Sequence, residues 1–331
     1  MRLVEIIEDV KGFWIDKEQL YLAKNNSLKS KIFEVEELMA FDLKFSNEKV
    51  FIKSYDEDGF EKTLVYDISK DRVINSYNRI LLSIYQDKLG VFSSYDIEYN
   101  SFIEVWDLEM NFEKWKVKTE DYFHDIIEGG LVFSNQNFIS KREIDSGNIE
   151  WQFDLKESFS EVDRIFGPGK DNIYIGFKNE ILIKLDSKRG DFIWKSEDKI
   201  PISNLRISND QSKLYVLQLN KYVELNSVSG EFLVDKDLEH YLADYFGYSL
   251  FYIRTSKYDN GLIYFVGGRK GFSDTLGVFD TKTQQIIWHH KLDIPQGEFI
   301  GVGDDKLQFT EDKIYVLDTS NQLHVFQKEN V

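Results

Sequence analysis

Apolar and polar positions alternate in short runs along most of this chain, and turn-forming residues separate one run from the next. Residues 163–197 show the unit, because DRIFGPG, NIYIGFK, EILIKLD and DFIWKSE are each rich in strand-forming residues or alternate with a period of two. Asn179-Glu180 joins the second and third runs as a tight hairpin turn would. The pattern predicts an all-β chain built from four-stranded antiparallel sheets.

A short phrase recurs along the chain, in which an apolar strand ends in Asp or Asn and a bulky residue follows eight positions later. The offset links Asn25 to Phe33, Asp67 to Asn75, Asp107 to Trp115, Asp186 to Trp194, Asn226 to Val234, Asp280 to Trp288 and Asp318 to Phe326. The copy at Asp145 is two residues shorter and reaches Trp151. The eight markers therefore lie 42, 40, 38, 41, 40, 54 and 38 residues apart.

A period near 40 in a strand-rich chain indicates a β-propeller. We predict one propeller domain over residues 1–331, with eight four-stranded blades and seven as the alternative. In the eight-blade prediction every blade is complete in chain order, so that RLVEII (2–7) opens the first blade and FIGVG (299–303) opens the last. In the seven-blade alternative, residues 2–8 instead complete the last sheet.

The marker and the tryptophan have structural explanations. The Asp186 carboxylate is placed to accept N–H groups from the turn that follows it, and Gly190 in that turn can adopt a positive φ. Trp194 would pack in the apolar layer between neighbouring blades. We therefore predict that these residues build the blade rather than perform chemistry.

The phrase resembles the repeat of the quinoprotein-like (PQQ-like) β-propellers, which it matches as LDSKRGDFIW (185–194), FDTKTQQIIW (279–288), IDSGNIEW (144–151) and WDLEMNFEKW (106–115). That superfamily includes quinone-dependent dehydrogenases, an envelope assembly scaffold and binding proteins without chemistry. The dehydrogenases carry a vicinal cysteine pair, a calcium-binding set and a catalytic Asp. This chain has no cysteine and no recognisable calcium set. The resemblance thus implies a non-enzymatic member, for which we expect no catalytic residue, cofactor or metal.

The charge of the chain narrows the choice of partner. Its 41 Lys and Arg stand against 58 Asp and Glu, a formal net charge of -17. We therefore expect neither nucleic acid nor a membrane as partner, and a basic protein would be attracted. The N-terminal apolar residues are interrupted by Glu5, Glu8 and Asp9, which is not the pattern of a signal peptide, so we expect a cytoplasmic location.

Histidines offer little chemistry in this pattern. His289 and His290 are consecutive on a predicted strand, so their side chains should point to opposite faces. His124 lies beside Asp125, and no nucleophile motif accompanies this pair.

The long interval between Asn226 and Asp280 is the main irregularity. It predicts an inserted loop at about 238–258, between the fourth strand of blade six and the first of blade seven. Such a connection shares one face with the loops between second and third strands, and both combine tyrosine with acidic residues. The predicted partner-binding residues are Asp56, Glu57, Asp58, Tyr95, Asp96, Glu98, Tyr99, Tyr241, Asp244, Tyr245, Phe246 and Tyr248. In the alternative, Tyr245, Phe246 and Tyr248 pack as a capping helix or a strand extension.

These expectations combine into a non-catalytic, protein-binding propeller. An acidic cytoplasmic propeller without a catalytic set suits an immunity protein that neutralises a bacterial toxin, which would be the basic partner. Two alternatives remain: a propeller that binds a small ligand or resembles a quinone-dependent enzyme, and an assembly scaffold of the cell envelope.

Overall fold

The computed structural model describes the chain except residues 25–26, 31–33, 37–41, 47, 56–59, 97, 99, 156–158, 170, 270, 296, 302, 304 and 329–331. The described residues contain 32 strands and one short helix. They belong to two compact units, Met1–Lys24 with Trp194–Val331, and Asn25–Ile193. Nowhere in these ranges is a helix long and apolar enough to cross a membrane.

The strands alternate with tight turns throughout the chain. The first sixteen are β1 (Arg2–Ile7), β2 (Gly12–Asp16), β3 (Gln19–Lys24), β4 (Ser27–Ser30), β5 (Glu34–Glu36), β6 (Asp42–Ser46), β7 (Lys49–Tyr55), β8 (Glu61–Asp67), β9 (Arg72–Tyr77), β10 (Ile80–Tyr85), β11 (Leu89–Tyr95), β12 (Ser101–Asp107), β13 (Phe112–Lys118), β14 (Tyr122–Ile127), β15 (Gly130–Ser134) and β16 (Phe138–Glu143). The others are β17 (Ile149–Asp154), β18 (Val162–Gly169), β19 (Asn172–Phe177), β20 (Leu182–Asp186), β21 (Phe192–Lys195), β22 (Leu205–Ile207), β23 (Lys213–Gln218), β24 (Lys221–Asn226), β25 (Phe232–Asp237), β26 (Tyr252–Asp259), β27 (Leu262–Gly268), β28 (Thr275–Asp280), β29 (Gln285–Lys291), β30 (Leu307–Phe309), β31 (Lys313–Leu317) and β32 (Leu323–Gln327), with helix α1 (Glu239–Phe246) between β25 and β26.

These strands form eight four-stranded sheets, the blades of a β-propeller, which confirms the predicted fold class and the count of eight. Seven blades are continuous in chain order: β2–β5, β6–β9, β10–β13, β14–β17, β18–β21, β22–β25 and β26–β29. The eighth has the order β1-β32-β31-β30. Its pairings are antiparallel, as are the pairings described in the other blades. The prediction of one domain over 1–331 stays a prediction.

The eighth blade corrects two predicted strands. β1 does not open the first blade but pairs with β32, from Arg2 opposite Gln327 to Ile7 opposite Leu323. The described residues of the range 299–303 form no strand, apart from an isolated bridge at Ile300, and β30 begins the last sheet instead. The chain thus has eight blades, and β1 completes the last of them. We had expected a last sheet completed by residues 2–8 only for seven blades. Leu3 packs against the apolar cluster of this sheet, a long-range contact that local alternation cannot reveal.

The marker residues cap the turns between third and fourth strands, as predicted. Asp186 Oδ1 accepts the N–H groups of Lys188 at 3.0 Å and Arg189 at 2.8 Å, and Gly190 has a φ of +72°. The same pair of bonds recurs at Asp107 (Glu109 and Met110), Asn226 (Val228 and Ser229) and Asp280 (Lys282 and Thr283). The copy from Asn25 to Phe33 lies outside the described residues.

Tryptophans on fourth strands dock on the turn of the next blade. Trp151 Nε1 donates to the carbonyl of Ser187 at 2.9 Å, and its ring lies against Gly190. The same bond joins Trp115 to Ile144 at 2.8 Å and Trp194 to Ser227 at 3.2 Å, and each acceptor lies three residues before the glycine of its turn. This contact explains why the turn needs a glycine, since any Cβ would enter the space of the indole.

One marker residue, Asp145, was assigned wrongly from the sequence pattern. Gly147 N donates to Glu143 O at 2.9 Å, as Gly190 N donates to Asp186 O at 2.9 Å. Glu143 therefore takes the place that Asp186 has in its own blade, and Asp145 does not. The offset from Glu143 to Trp151 is then the usual eight, so the apparent shortening of this copy came from choosing Asp145.

The glycine contact can be tested by a matched pair of substitutions. A Cβ on Gly190 would lie 2.6 Å from the ring of Trp151, whereas a Cβ on Gly247, with a similar φ of +70°, meets nothing within 4 Å. Both changes to alanine carry the cost of a positive φ, and only Gly190→Ala adds overpacking. We expect Gly190→Ala to lower the free energy of unfolding by about 2 kcal/mol more than Gly247→Ala in urea titrations. Equal losses would contradict the docking of Trp151.

Candidate functional site

The predicted inserted segment contains a short helix followed by a strand. Asp237 Oδ1 accepts the N–H of Glu239 at 2.7 Å where α1 begins. The helix ends at Gly247, whose left-handed backbone lets its N–H donate to Ala243 O at 2.9 Å. The segment lies between the fourth strand of blade six and the first of blade seven, as predicted, and its last residues already belong to β26.

One face of α1 packs on the apolar cluster of blades six and seven. Leu242 is buried, and the ring of Phe246 stacks on Phe251 with centroids 3.9 Å apart. The hydroxyl of Tyr241 accepts the backbone N–H of Ile286 at 2.8 Å. Tyr241 and Phe246 thus hold the helix to the sheet, which is the capping arrangement we had considered as the alternative to a binding surface.

The other face of α1 is accessible. Asp244 is exposed, and Tyr245 is 39% exposed with its ring edge against His289. Tyr248 lies between two cations, since Lys291 Nζ donates to its hydroxyl at 3.2 Å and the Arg269 guanidinium is 5.5 Å from its ring. Of the five residues predicted here, Asp244 and Tyr245 are therefore the most available to a partner, and Tyr248 has basic neighbours.

Tyr241, which bonds to the sheet, and Tyr245, which is exposed, allow the two faces of α1 to be tested separately. Tyr241→Phe leaves the buried Ile286 N–H without its acceptor, so we expect the free energy of unfolding to fall by about 1–2 kcal/mol. Tyr245→Phe removes only a 3.4 Å contact with His289 at the surface, so a change below about 0.5 kcal/mol is expected. Urea titrations of both variants measure this difference, and equal effects would mean that Tyr241 does not anchor the helix.

A second group of predicted residues lies in the other unit, in the connection from β11 to β12. Tyr95 is 64% exposed, and Asp96 and Glu98 are exposed beside it. Asp96 Oδ1 accepts the N–H groups of Glu98 and Asn100, both at 2.9 Å, and its Oδ2 accepts the Asn100 side chain at 2.8 Å. These bonds, led by that of the Asn100 side chain, lower the pKa of Asp96, whose ionised carboxylate holds Glu98 and Asn100 in place. Asp56, Glu57, Asp58 and Tyr99 lie outside the described residues.

A cavity of 440 Å³ opens beside Tyr95. Its lining residues are Phe60, Glu61, Asn78, Arg79, Ile80, Ser93, Ser94 and Tyr95, which come from the neighbouring blades two and three. Sequence reasoning singled out only Tyr95 of this set. Phe60, at the edge of this cavity, is 70% exposed. The cavity could not be read from the chain, because its walls come from three separate connections.

A buried carboxylate, that of Glu104 on β12, holds the floor of this region in place. It pairs with Arg79 and with Lys116 Nζ at 2.8 Å, and it accepts from Ser94 Oγ at 2.5 Å and Trp106 Nε1 at 3.0 Å. Burial acts to raise the pKa of Glu104, but the bonds from Lys116, Ser94 and Trp106 outweigh it and lower the pKa. A glutamate inside the apolar run FIEVWD was the available sequence signal.

The histidines are placed as structural residues. His290 stacks on Trp288 with centroids 6.1 Å apart, while His289 packs on the opposite side against Tyr245, which confirms the predicted division. His124 Nε2 is 2.6 Å from Ser134 Oγ, and Ser134 is buried. Within the described residues, no three His, Asp or Glu side chains are grouped so as to hold a metal ion.

Burial of His124 has a measurable consequence for stability. Burial lowers the pKa of His124 to about 4, whereas the unfolded side chain keeps the ordinary 6.5. Below pH 6.5 the unfolded chain takes up the proton first, so the folded state loses stability as the pH falls from 6.5 towards 4. We expect a loss of about 3 kcal/mol that His124→Gln does not show, measured by urea titration across this range. An NMR titration that places the pKa of His124 above 6 would contradict this.

Comparison with known proteins shows the fold. No family model matches the chain, and no curated protein matches its sequence. Three solved structures resemble it: the C-terminal WD40 domain of Sif2 (10% identity, 99% of this chain and 98% of that chain, TM-score 0.71), the computationally designed Ika8 protein (12%, 97% and 96%, 0.67) and BamB from Moraxella catarrhalis (11%, 88% and 98%, 0.50). All are similar in shape alone at such identities. The chain has a propeller fold.

Proposed function

We propose that this chain is a non-catalytic propeller that binds a basic protein partner, and that it acts as an immunity protein against a bacterial toxin in the cytoplasm. The observation that carries the proposal is the connection from β11 to β12. It presents the exposed Tyr95 next to Asp96 and Glu98, and Asp96 holds the backbone of Glu98 and Asn100.

The loop has the properties of a binding anchor. Tyrosine supplies a large contact area with few rotatable bonds, and such residues dominate interface energetics. Because the bonds of Asp96 hold Asn100 in place beforehand, ordering that residue on association costs less conformational entropy. Glu98 adds a second exposed carboxylate within the same loop.

Charge favours a basic partner. A formal net charge of -17 raises the local concentration of cationic proteins and speeds their association. Toxin domains that act on nucleic acid would be positively charged, since they must contact phosphate. A protein that covers such a basic surface would block the toxin without any catalytic step.

The repeat supports placing the chain among the quinoprotein-like propellers. The Asp-capped turn and the tryptophan that bonds to the next blade give its sequence phrase a consistent geometry. The proposal of a non-catalytic role rests on the absence of cysteine from the sequence and on the burial of Ser134 beside His124, where no substrate reaches it.

The proposal is tested with the partner in hand. The tagged chain is used to capture proteins from the native lysate, and each captured protein is expressed with and without the chain. We expect a basic protein that stops growth alone and not in the presence of this chain. Tyr95→Ala should weaken its binding about tenfold and increase the dissociation rate.

Phe112→Ala is the matched control, because Phe112 is an exposed aromatic residue of the same blade at the opposite end of the strands. It should bind the partner as the wild type does. Asp96→Asn and Glu98→Gln should reduce the association rate at low salt and have less effect at high salt. A partner that is acidic, that is not toxic, or that ignores all three loop substitutions would exclude this function.

A further inference from the structure

We propose that the cavity beside Arg79 is a binding site for a carboxylate joined to an apolar or aromatic group. This ligand differs from the basic partner proposed above, and the site does not depend on that function. It lies in one unit, and Arg79, Ser93, Ser94 and Asn78 provide its polar lining.

The guanidinium of Arg79 is oriented by contacts with Glu104 and Trp106. One of its terminal nitrogens, Nη1, pairs with Glu104, and the group lies 4.3 Å from the ring centroid of Trp106. Its Nε is buried and donates to no acceptor among the described residues. A buried donor without a partner is costly, so a ligand that accepts from it gains a bond that the free protein lacks.

The geometry of arginine points to a planar anion. Because Nη1 is used by Glu104, the edge that includes Nε is the one left for a ligand, and a carboxylate matches two donors on one edge of a guanidinium. Because Nε is buried, the guanidinium must rotate slightly towards the cavity before both donors of this edge can reach a carboxylate. Arg79 lines the cavity, which gives such a ligand access.

The charges around the cavity agree with an anion. Glu104 is one carboxylate shared by two cations, Arg79 and Lys116. Glu61, which also lines the cavity, pairs with Lys53, with Nζ and Oε1 3.5 Å apart. These five side chains together have one excess positive charge, so Arg79 keeps part of its charge for a carboxylate.

The size and walls of the cavity define the rest of the ligand. Phe60 and Tyr95 stand exposed at its rim, and Ile80 adds an apolar wall. A volume of 440 Å³ is in the range of small-molecule sites and holds one amino-acid residue with its acyl group. A ligand with a carboxylate on Arg79 and an aromatic side chain against Phe60 and Tyr95 would contact both the cationic and the aromatic residues of the cavity.

The test uses the full chain and three probes in isothermal titration calorimetry. These are N-acetyl-phenylalanine, its amide, and a five-residue peptide that ends in phenylalanine with a free carboxylate. We expect the free acid to bind saturably and the amide at least about tenfold more weakly, because the charge-assisted bonds to Arg79 are lost. Tighter binding of the peptide identifies a polypeptide C-terminus as the source, and binding of the free acid alone identifies a small molecule.

Two arginine variants test the pair of N–H donors on one edge of the Arg79 guanidinium. Arg79→Lys keeps the charge and loses the planar donor pair, so affinity for the free acid should fall about tenfold. Arg142→Lys is the control, because Arg142 also faces an aromatic ring, Phe133, but does not line the cavity. It should bind as the wild type does. Circular dichroism and the melting temperature establish that both variants are folded.

A further variant keeps the test valid if Arg79→Lys does not fold. Tyr95→Ala alters an exposed rim residue, so the fold is retained, and affinity for the free acid should drop about fivefold through loss of the aromatic wall. The proposal is overturned if no probe saturates, if acid and amide bind equally, or if folded Arg79→Lys binds as the wild type does. Binding of inorganic phosphate without binding of any carboxylate would overturn it as well.

Discussion

The contact between a tryptophan and the turn of the next blade is the constraint on which this structure depends. The indole of Trp151 donates to a turn carbonyl and covers Gly190, while Asp186 holds that turn closed. A buried indole removes a large apolar area from water, and its N–H fixes the distance between the two sheets. The residues of the turn between third and fourth strands are therefore constrained by packing. The connections at the other end of the strands are not constrained by this contact.

Between blades two and three, polar side chains replace this contact. In blade two the position of the tryptophan is taken by Asn75, and Asn111 stands in blade three where blades four, five and six have glycine. Asn111 Oδ1 accepts from Asn75 Nδ2 at 3.1 Å and from the hydroxyl of Tyr77 at 2.7 Å. The ring of Tyr77 then meets Trp106, which belongs to the network of Glu104. The second copy of the repeat therefore uses polar side chains between blades two and three, and Tyr77 and Trp106 connect them to the network of Glu104.

Local features of this fold could be predicted from the sequence, and long-range ones could not. The strands of blades two, five and six, and the cap at Asp186, follow from alternation and turn chemistry within a few residues. The partner of β1 could not be found in this way, because its pattern suits either sheet and its pairing with β32 crosses the whole chain. Helix α1 has only eight residues, too few for a helical period to show clearly, and Arg79 meets Ser94 and Glu104 only after folding.

An acidic chain and a cationic cavity are compatible because their fields act over different distances. At physiological ionic strength charges farther apart than about 8 Å are largely screened in water, so the net charge of -17 mainly affects the approach of a partner. Arg79 lines the cavity and would act on a ligand at contact, in a place partly removed from water, where screening is weaker. A small carboxylate that enters the cavity would therefore be governed by Arg79, whose counter-ion Glu104 is shared with Lys116. The surface can attract a basic protein while this cavity selects an anion.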